Sequence, residues 1–287
     1  MKKLSVVLAT RNEEKHIGDC IKSVKYIADE ILIFDEGSED STKKIAEKLG
    51  AKVTTVQHHD NFHITKQKAL EAAKGQWILQ LDADERVTPA LAKEIAYVIS
   101  LTSDQIRARN YPKNKAKLFK KHERILRESG KWKDDVEIVA FWIPRLNYFL
   151  GKGMHFAGRY PDPAIRLVKN GKARFPMKSV HEFMEIDGAT AWLFEDMLHF
   201  ESPTLDRYLT RLNRYTDLQA KEHKQNNVSL SFLTLLYFSA IKPTIVFASL
   251  FFRHKGYKDG MRGFLWSIFS SLHFPISYFK YYAEYSH

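Results

Sequence analysis

Two carboxylates separated by one residue, Asp82-Ala83-Asp84, follow the apolar run Trp77-Ile78-Leu79-Gln80-Leu81. In extended backbone, residues two apart project to the same side, so both charges share one space. Like charges held together repel, and a divalent cation is the partner that makes the arrangement favourable. Oxygen donors suit Mg²⁺ or Mn²⁺, ions that also bridge phosphate oxygens. Taken alone, the pattern fits a loop with two solvated aspartates equally well. Two further polar clusters also end apolar runs: Thr10-Arg11-Asn12-Glu13-Glu14 after Leu4-Ser5-Val6-Val7-Leu8-Ala9, and Asp35 to Thr42 after Glu30-Ile31-Leu32-Ile33-Phe34.

The intervening segments must position these clusters. Ile17, Cys20, Ile21 and Val24 recur at helical spacing and predict a helix over 14–26. Further helices are expected over 41–49 and 65–74, with a strand over 52–56. Strand and helix thus alternate, which predicts an α/β fold with a Rossmann-like, mostly parallel sheet flanked by helices. In such a sheet the carboxyl ends of the strands share one edge, where ligands bind. The three polar clusters therefore converge on one cleft.

The segments SVVLATRNEE, IFDEGSEDST and AAKGQWILQLDADE resemble, in this order, the pattern of glycosyltransferase family 2 on a GT-A fold. They are similar in particular to bacterial β-glycosyltransferases that extend the lipopolysaccharide inner core. The likeness covers residues 1 to about 100 and continues weakly through 161–167, Val180-His181-Glu182 and 255–260. Residues 103–140 match nothing. The resemblance implies that Thr10, Glu13 and Asp35 receive the nucleotide, with Lys66 near it. It implies that Asp82 lies nearer the ribose and Asp84 on the metal, with Glu85 as the adjacent acidic residue. Glu36 departs from the second aspartate that relatives often carry.

Sugar transfer from a nucleotide needs a stabilised diphosphate, an activated acceptor hydroxyl and in-line geometry. Glu182 is the candidate general base, because inverting relatives carry an acidic base after the donor-binding half, and His181 orients it or contacts the acceptor. Asp162, Asp187, Glu195 and Asp196 are rival bases. His199 suits the metal shell or a packed core position. Arg166 suits a phosphate clamp or a structural ion pair.

The chain has 287 residues, one cysteine (Cys20) and a net charge of +11. One cysteine excludes a disulfide framework and fits a reducing cytosol. Met1-Lys2-Lys3-Leu4 runs directly into the first strand, so no cleaved signal sequence is expected. Much of the positive charge falls in 107–133, which reads as a solvated loop or as attraction to an anionic membrane or phosphorylated glycolipid. No base-stacking module points to nucleic acid. Residues 228–252 are apolar but interrupted by Lys242-Pro243, which predicts two helices too short to span a bilayer. Basic and tyrosine flanks suit attachment in the membrane interface, with a packed cap, a homodimer interface or a single span as alternatives. Ser202-Pro203-Thr204 predicts a helix start with proline in the first turn.

The expected organisation is a nucleotide-sugar half over 1–100, an acceptor and catalytic half over 101–203, and a helical, apolar C-terminal appendage over 204–287. The expected function is a metal-dependent, inverting glycosyltransferase using Mg²⁺ or Mn²⁺ and a nucleotide sugar, UDP-linked for preference. Its acceptor is a membrane-associated glycan or lipid-linked glycan, and its place the cytoplasmic face of the cell membrane. A polyprenyl-phosphate glycosyltransferase and a non-enzymatic basic membrane-binding protein are the alternatives.

Overall fold

A computed structural model describes residues 2–130, 133–134, 136–176 and 184–285. They fall into two units, Met1–Arg145 with Pro163–His199, and Leu146–Asp162 with Phe200–His287.

The first unit opens as the alternation predicts. Strands β1 (Leu4–Thr10), β2 (Glu30–Asp35), β3 (Lys52–Thr55) and β4 (Trp77–Leu81) alternate with helices α1 (Ile17–Val24), α2 (Thr42–Lys48) and α3 (His63–Ala72). The strands pair in parallel in the order β3-β2-β1-β4. Thr10 lies opposite Asp35 and Leu8 opposite Leu81, so the polar residues after each strand gather along one edge. The apolar stripe of α1 (Ile17, Cys20, Ile21, Val24) is buried in the core on one side of the sheet. A second core joins Val7, Leu32 and Ile78 to Ala69 and Leu70 of α3. Each such large side chain, fully buried, contributes roughly 1.5–3 kcal/mol. Gly75 admits the chain to β4 at close quarters: a Cβ there would lie 2.6 Å from the Ser5 amide nitrogen.

Beyond β4 the sheet is mixed. It continues through β5 (Glu85–Val87), β6 (Ile138–Phe149), β7 (Lys152–Gly153), β8 (Asp162–Lys169), β11 (Ala189–Trp192) and β12 (Met197–Ser202), while β9 (Ala173–Arg174) and β10 (Glu185–Ile186) form a separate ribbon. β8 is antiparallel to β4, and β12 to β5, whereas β11 is parallel to β6. Parallel neighbours need long crossovers, and between β6 and β12 the described residues contain no helix. Between β5 and β6 lie α4 (Pro89–Val98), α5 (Ser103–Arg107) and α6 (Ala116–Glu128). About half of the basic run is therefore helical, where the loop reading expected none. Thr102 and Gln105 form a capping box on α5, and α6 buries Phe119 and Leu126 against Trp142 and Trp192.

In the second unit, β6 turns into β7 through Leu150 and Gly151, whose φ values of 49° and 77° are those of a two-residue hairpin turn. Helix α7 (Leu205–Gln225) is capped by the Thr204 hydroxyl, which accepts the Arg207 N–H at 3.2 Å. Pro203 thus precedes the helix rather than entering its first turn, because Ser202 is the last residue of β12 and the cap falls to Thr204. The apolar stretch forms one helix, Phe232–Arg253, so the expected break at Pro243 does not occur. A π-helical turn over Tyr237–Ile241 comes immediately before it, and this wider turn accommodates the proline ring and its missing donor. At 22 residues and a mean hydropathy of 1.7 the helix is long and apolar enough to cross a bilayer, and none of its apolar window is buried. The Lys255 to Gly260 motif is a tight link to the C-terminal helix Met261–Tyr285, with Asp259 accepting the Phe156 N–H at 2.8 Å. That helix buries Tyr278 and Tyr281 beside Ala220 of α7.

Candidate active site

The site grows from the end of β4. Asp82 Oδ1 lies 2.5 Å from Lys66 Nζ on α3, and Asp82 Oδ2 accepts Arg166 Nη2 at 2.5 Å. Arg166 sits on β8, the antiparallel neighbour of β4, so its planar fork also reaches Gln80 Oε1 at 2.7 Å and Glu85 Oε1 at 2.8 Å. Glu85 is fully buried; it accepts the Asp82 N–H at 3.0 Å and Arg145 Nη1 at 3.3 Å. Burial alone would raise both carboxyls, but Arg166, helped by Lys66 at Asp82 and by Arg145 at Glu85, holds them below the ordinary carboxylate range. Burial works against the charge of Arg166 too, and Asp82 and Glu85 outweigh it. The group is a buried ionic lattice whose members depend on one another.

Asp84 is positioned from the other side. β12 runs antiparallel to β5 with His199 opposite Glu85, which brings His199 Nε2 to 3.7 Å from Asp84 Oδ2. Burial holds His199 below the usual histidine range, against the pull of Asp84 and Glu85. The Asp84 carboxylate is a donor that suits Mn²⁺ or Mg²⁺, and an imidazole held below its usual range can join as a nitrogen ligand. Among the described residues no group of three or more histidine, cysteine, aspartate or glutamate side chains could hold a metal. Two protein donors are the number that leaves coordination positions for phosphate oxygens, so these residues fit the expected ion.

The first two polar loops are tied together. Asp35 is buried and accepts the Ser38 N–H at 2.8 Å, the Ser38 hydroxyl at 2.6 Å and the Thr10 hydroxyl at 3.2 Å. Asn12, at φ 54°, donates its N–H to Ser38 Oγ and accepts the Glu39 N–H, both at 2.9 Å. The Glu13 N–H bonds Thr42 Oγ1 at 2.7 Å. Glu36 Oε2 lies 2.7 Å from His58 Nδ1, while Glu36 Oε1, His59 Nε2 and Thr65 Oγ1 are buried without a hydrogen-bond partner. Orphaned polar atoms next in sequence to Asp35 and Lys66 are what a hydroxyl- and amide-bearing ligand satisfies.

The structure thus joins Thr10 to Asp35, Lys66 and Arg166 to Asp82, and Asp84 to His199. Glu13 enters through its backbone. Arg166 takes the ion-paired one of its two expected roles. Glu182 and His181 lie outside the described residues. Of the rival bases, Asp187 pairs with Lys172 at 2.8 Å and Asp196 with Lys115 at 2.9 Å, while Asp162 accepts Asn147 Nδ2 at 3.1 Å. The Glu195 N–H is bound by Glu94 at 2.9 Å. Cys20 is packed core, its thiol pushed up by burial and lying 3.6 Å from the Asp82 carbonyl.

Sequence reasoning missed two arginines. Arg145 had a signal, a lone charge in the apolar strand Ile138–Phe149. Arg86 had none; it donates to the carbonyls of Ala83 at 2.6 Å, Glu85 at 2.8 Å and His16 at 2.8 Å, and so braces the Asp-X-Asp loop against the start of α1.

Comparison with known proteins identifies the family. The profile of glycosyl transferase family 2 matches residues 5–157. The chain is 26% identical over 268 residues to the lipopolysaccharide core biosynthesis glycosyltransferase LpsC of Rhizobium meliloti (strain 1021), covering 91% of this chain and 85% of that protein. It is 42% identical over 99 residues to an uncharacterized glycosyltransferase of Rickettsia bellii (strain RML369-C), covering 34% of this chain and 33% of that one. Among solved structures, Mycobacterium tuberculosis glucosyl-3-phosphoglycerate synthase with Mn²⁺, UDP and glucosyl-3-phosphoglycerate aligns at 24% identity and TM-score 0.30, over 34% of this chain and 39% of that chain. With more than half of its length matched by the family profile, the chain belongs to glycosyltransferase family 2, on a GT-A fold, and is a glycosyltransferase.

Proposed function

We propose that this enzyme transfers a sugar, with inversion, from a UDP-linked donor to a membrane-associated glycan or glycolipid of the lipopolysaccharide-core kind. The observation that carries the reading is Asp84 beside a neutral His199, next to an Asp82 held by Lys66 and Arg166. Thr10 and Asp35, with the loop of Glu13, receive the nucleoside at the ends of β1 and β2. Asp84 and His199 would hold Mg²⁺ or Mn²⁺, which when bound neutralises charge on the departing diphosphate. Glu182 takes the proton of the acceptor hydroxyl as its oxygen bonds to the anomeric carbon and the bond from that carbon to the diphosphate breaks. One displacement gives one inversion. The similarity to LpsC over most of both chains supports the acceptor class.

The exposed Phe232–Arg253 helix, with Arg253, Lys255 and Lys258 at its end, supports attachment to an anionic cytoplasmic membrane face. A transfer assay with UDP-, GDP- and CDP-sugars and a core glycolipid acceptor tests the reading. It predicts an inverted anomer from the UDP donor, and a Glu182→Gln variant slowed about 10²–10⁴-fold with nucleotide binding intact. A retained anomer contradicts it. Transfer to a polyprenyl phosphate with only mild loss in Glu182→Gln contradicts the acceptor and the base together.

A further inference from the structure

A cavity of about 290 Å³ in the first unit has Arg109, Tyr111, Glu123, Arg127, Trp192 and Phe194 in its wall. It is separate from the site above. Ile138 lines it, and Arg145, which pairs with Glu85, lies seven residues further along β6; at roughly 3.3 Å per residue that is about 23 Å of strand. Its wall draws on the segment around α5 and α6, to which the transfer reaction gives no task.

We propose that this cavity binds one pyranose ring of a glycan, at a site distinct from the donor site. Three features of the wall fit a sugar. Tyr111 and Phe194, both half-buried, supply aromatic surface, edge to face at 5.7 Å, and the C–H face of a pyranose packs on such rings. Beside them runs a relay of planar polar groups. The Tyr111 hydroxyl donates to Glu123 Oε2 at 2.7 Å, Arg127 donates to Glu123 Oε1 at 2.8 Å, and Arg127 also donates to Asp134 Oδ1 at 2.8 Å. Carboxylate and guanidinium side by side offer acceptors and donors at once, as adjacent sugar hydroxyls require.

The third feature is an unmet donor. Trp192 is buried and its indole N–H has no acceptor, whereas the neighbouring Trp142 N–H reaches Thr190 Oγ1 at 3.1 Å. A ligand hydroxyl or ring oxygen would satisfy it. Size narrows the class. The volume is near the roughly 300 Å³ lower end of small-molecule pockets, enough for one ring of a chain. The wall also carries Arg107 and Lys133, so its cations outnumber Glu123 and Asp134, and phosphate is the rival ligand that the test must exclude.

Saturation-transfer NMR on the full chain tests this, with methyl glycosides of glucose, galactose, mannose and N-acetylglucosamine as probes and inorganic phosphate as the competitor. The expected result is saturation of at least one glycoside at a Kd on the order of 1–10 mM. Glu123→Gln and Arg127→Ala, both on α6 and outside the donor site, should weaken it at least tenfold, with their circular dichroism and UDP binding unchanged. No saturation of any probe by folded protein overturns the proposal. So does binding that both variants retain, or displacement of the glycoside by phosphate. Because the glycosides are tested without nucleotide, failure of UDP binding would strike the transferase reading and leave this one standing.

Discussion

Lys66 and Arg166 divide the two oxygens of Asp82 between them. The Asp-X-Asp pair is thereby split: Asp82 is locked into the protein by cations, and Asp84 is turned to His199. Removing Arg166 would leave Asp82 and Glu85 buried with fewer counter-charges, a loss that typically costs about 3–5 kcal/mol. Arg166→Met should therefore lower the unfolding free energy read from a urea titration by that order, and Arg166→Lys should recover only part, since a point charge cannot reproduce the fork. An unfolding midpoint unchanged in Arg166→Met would contradict the lattice. At this scale the residue types were legible and their pairings were not. Asp82, Asp84, Asp35 and Thr10 announce themselves by following apolar runs. Arg145 and Arg166 come from strands 60 or more residues away, and only sheet order brings them to Glu85.

The β4–β5 turn and the apolar helix carry the predictions at the scale of elements. Arg86 holds the carbonyls of Ala83 and Glu85 at the turn and that of His16, just before α1. Arg86→Ala should release the turn, and displacement near 1 Å of a catalytic group costs about 10²-fold. Steady-state kinetics should show that fall in kcat/KM with the fold retained; undiminished kcat/KM would mean the turn holds its shape without the brace. The Phe232–Arg253 helix exposes Phe232 at 74% and Leu233 at 75%, an apolar surface that water does not favour. Wild type should co-sediment with anionic phospholipid vesicles, and Phe232→Ser/Leu233→Ser should remain in the supernatant. Equal sedimentation of both would remove this helix from membrane attachment. The parallel half of the sheet was readable because β1, β2 and β4 are short apolar runs and helices separate successive strands. The mixed half was not, because the antiparallel pairing of β8 with β4 and of β12 with β5 joins partners far apart in sequence. The continuity of the helix through Pro243 was hidden for a related reason: a π turn leaves no composition signal.

Across the whole molecule, burial lowers the pKa of His122, His223 and His273. Each binds its proton less readily folded than unfolded, where the value is about 6.5. The folded state therefore holds fewer protons below that pH, and stability falls as the medium is acidified. Asp82 and Glu85, also lowered, add their loss only below about pH 4. The thermal midpoint should thus begin to drop between pH 7 and 5, before the carboxylates titrate; a flat midpoint over that range would contradict the histidine contribution. The GT-A architecture, the donor edge and the apolar C-terminal region all serve one central claim, that Asp84 and His199 hold a divalent ion against the diphosphate of a UDP-sugar. Calorimetric titration of UDP with and without Mn²⁺, on wild type and Asp84→Ala, tests it most directly. The account predicts Mn²⁺-dependent binding by wild type that Asp84→Ala loses while remaining folded. Equal binding of UDP by both proteins, or no binding by folded wild type with Mn²⁺ present, would contradict it.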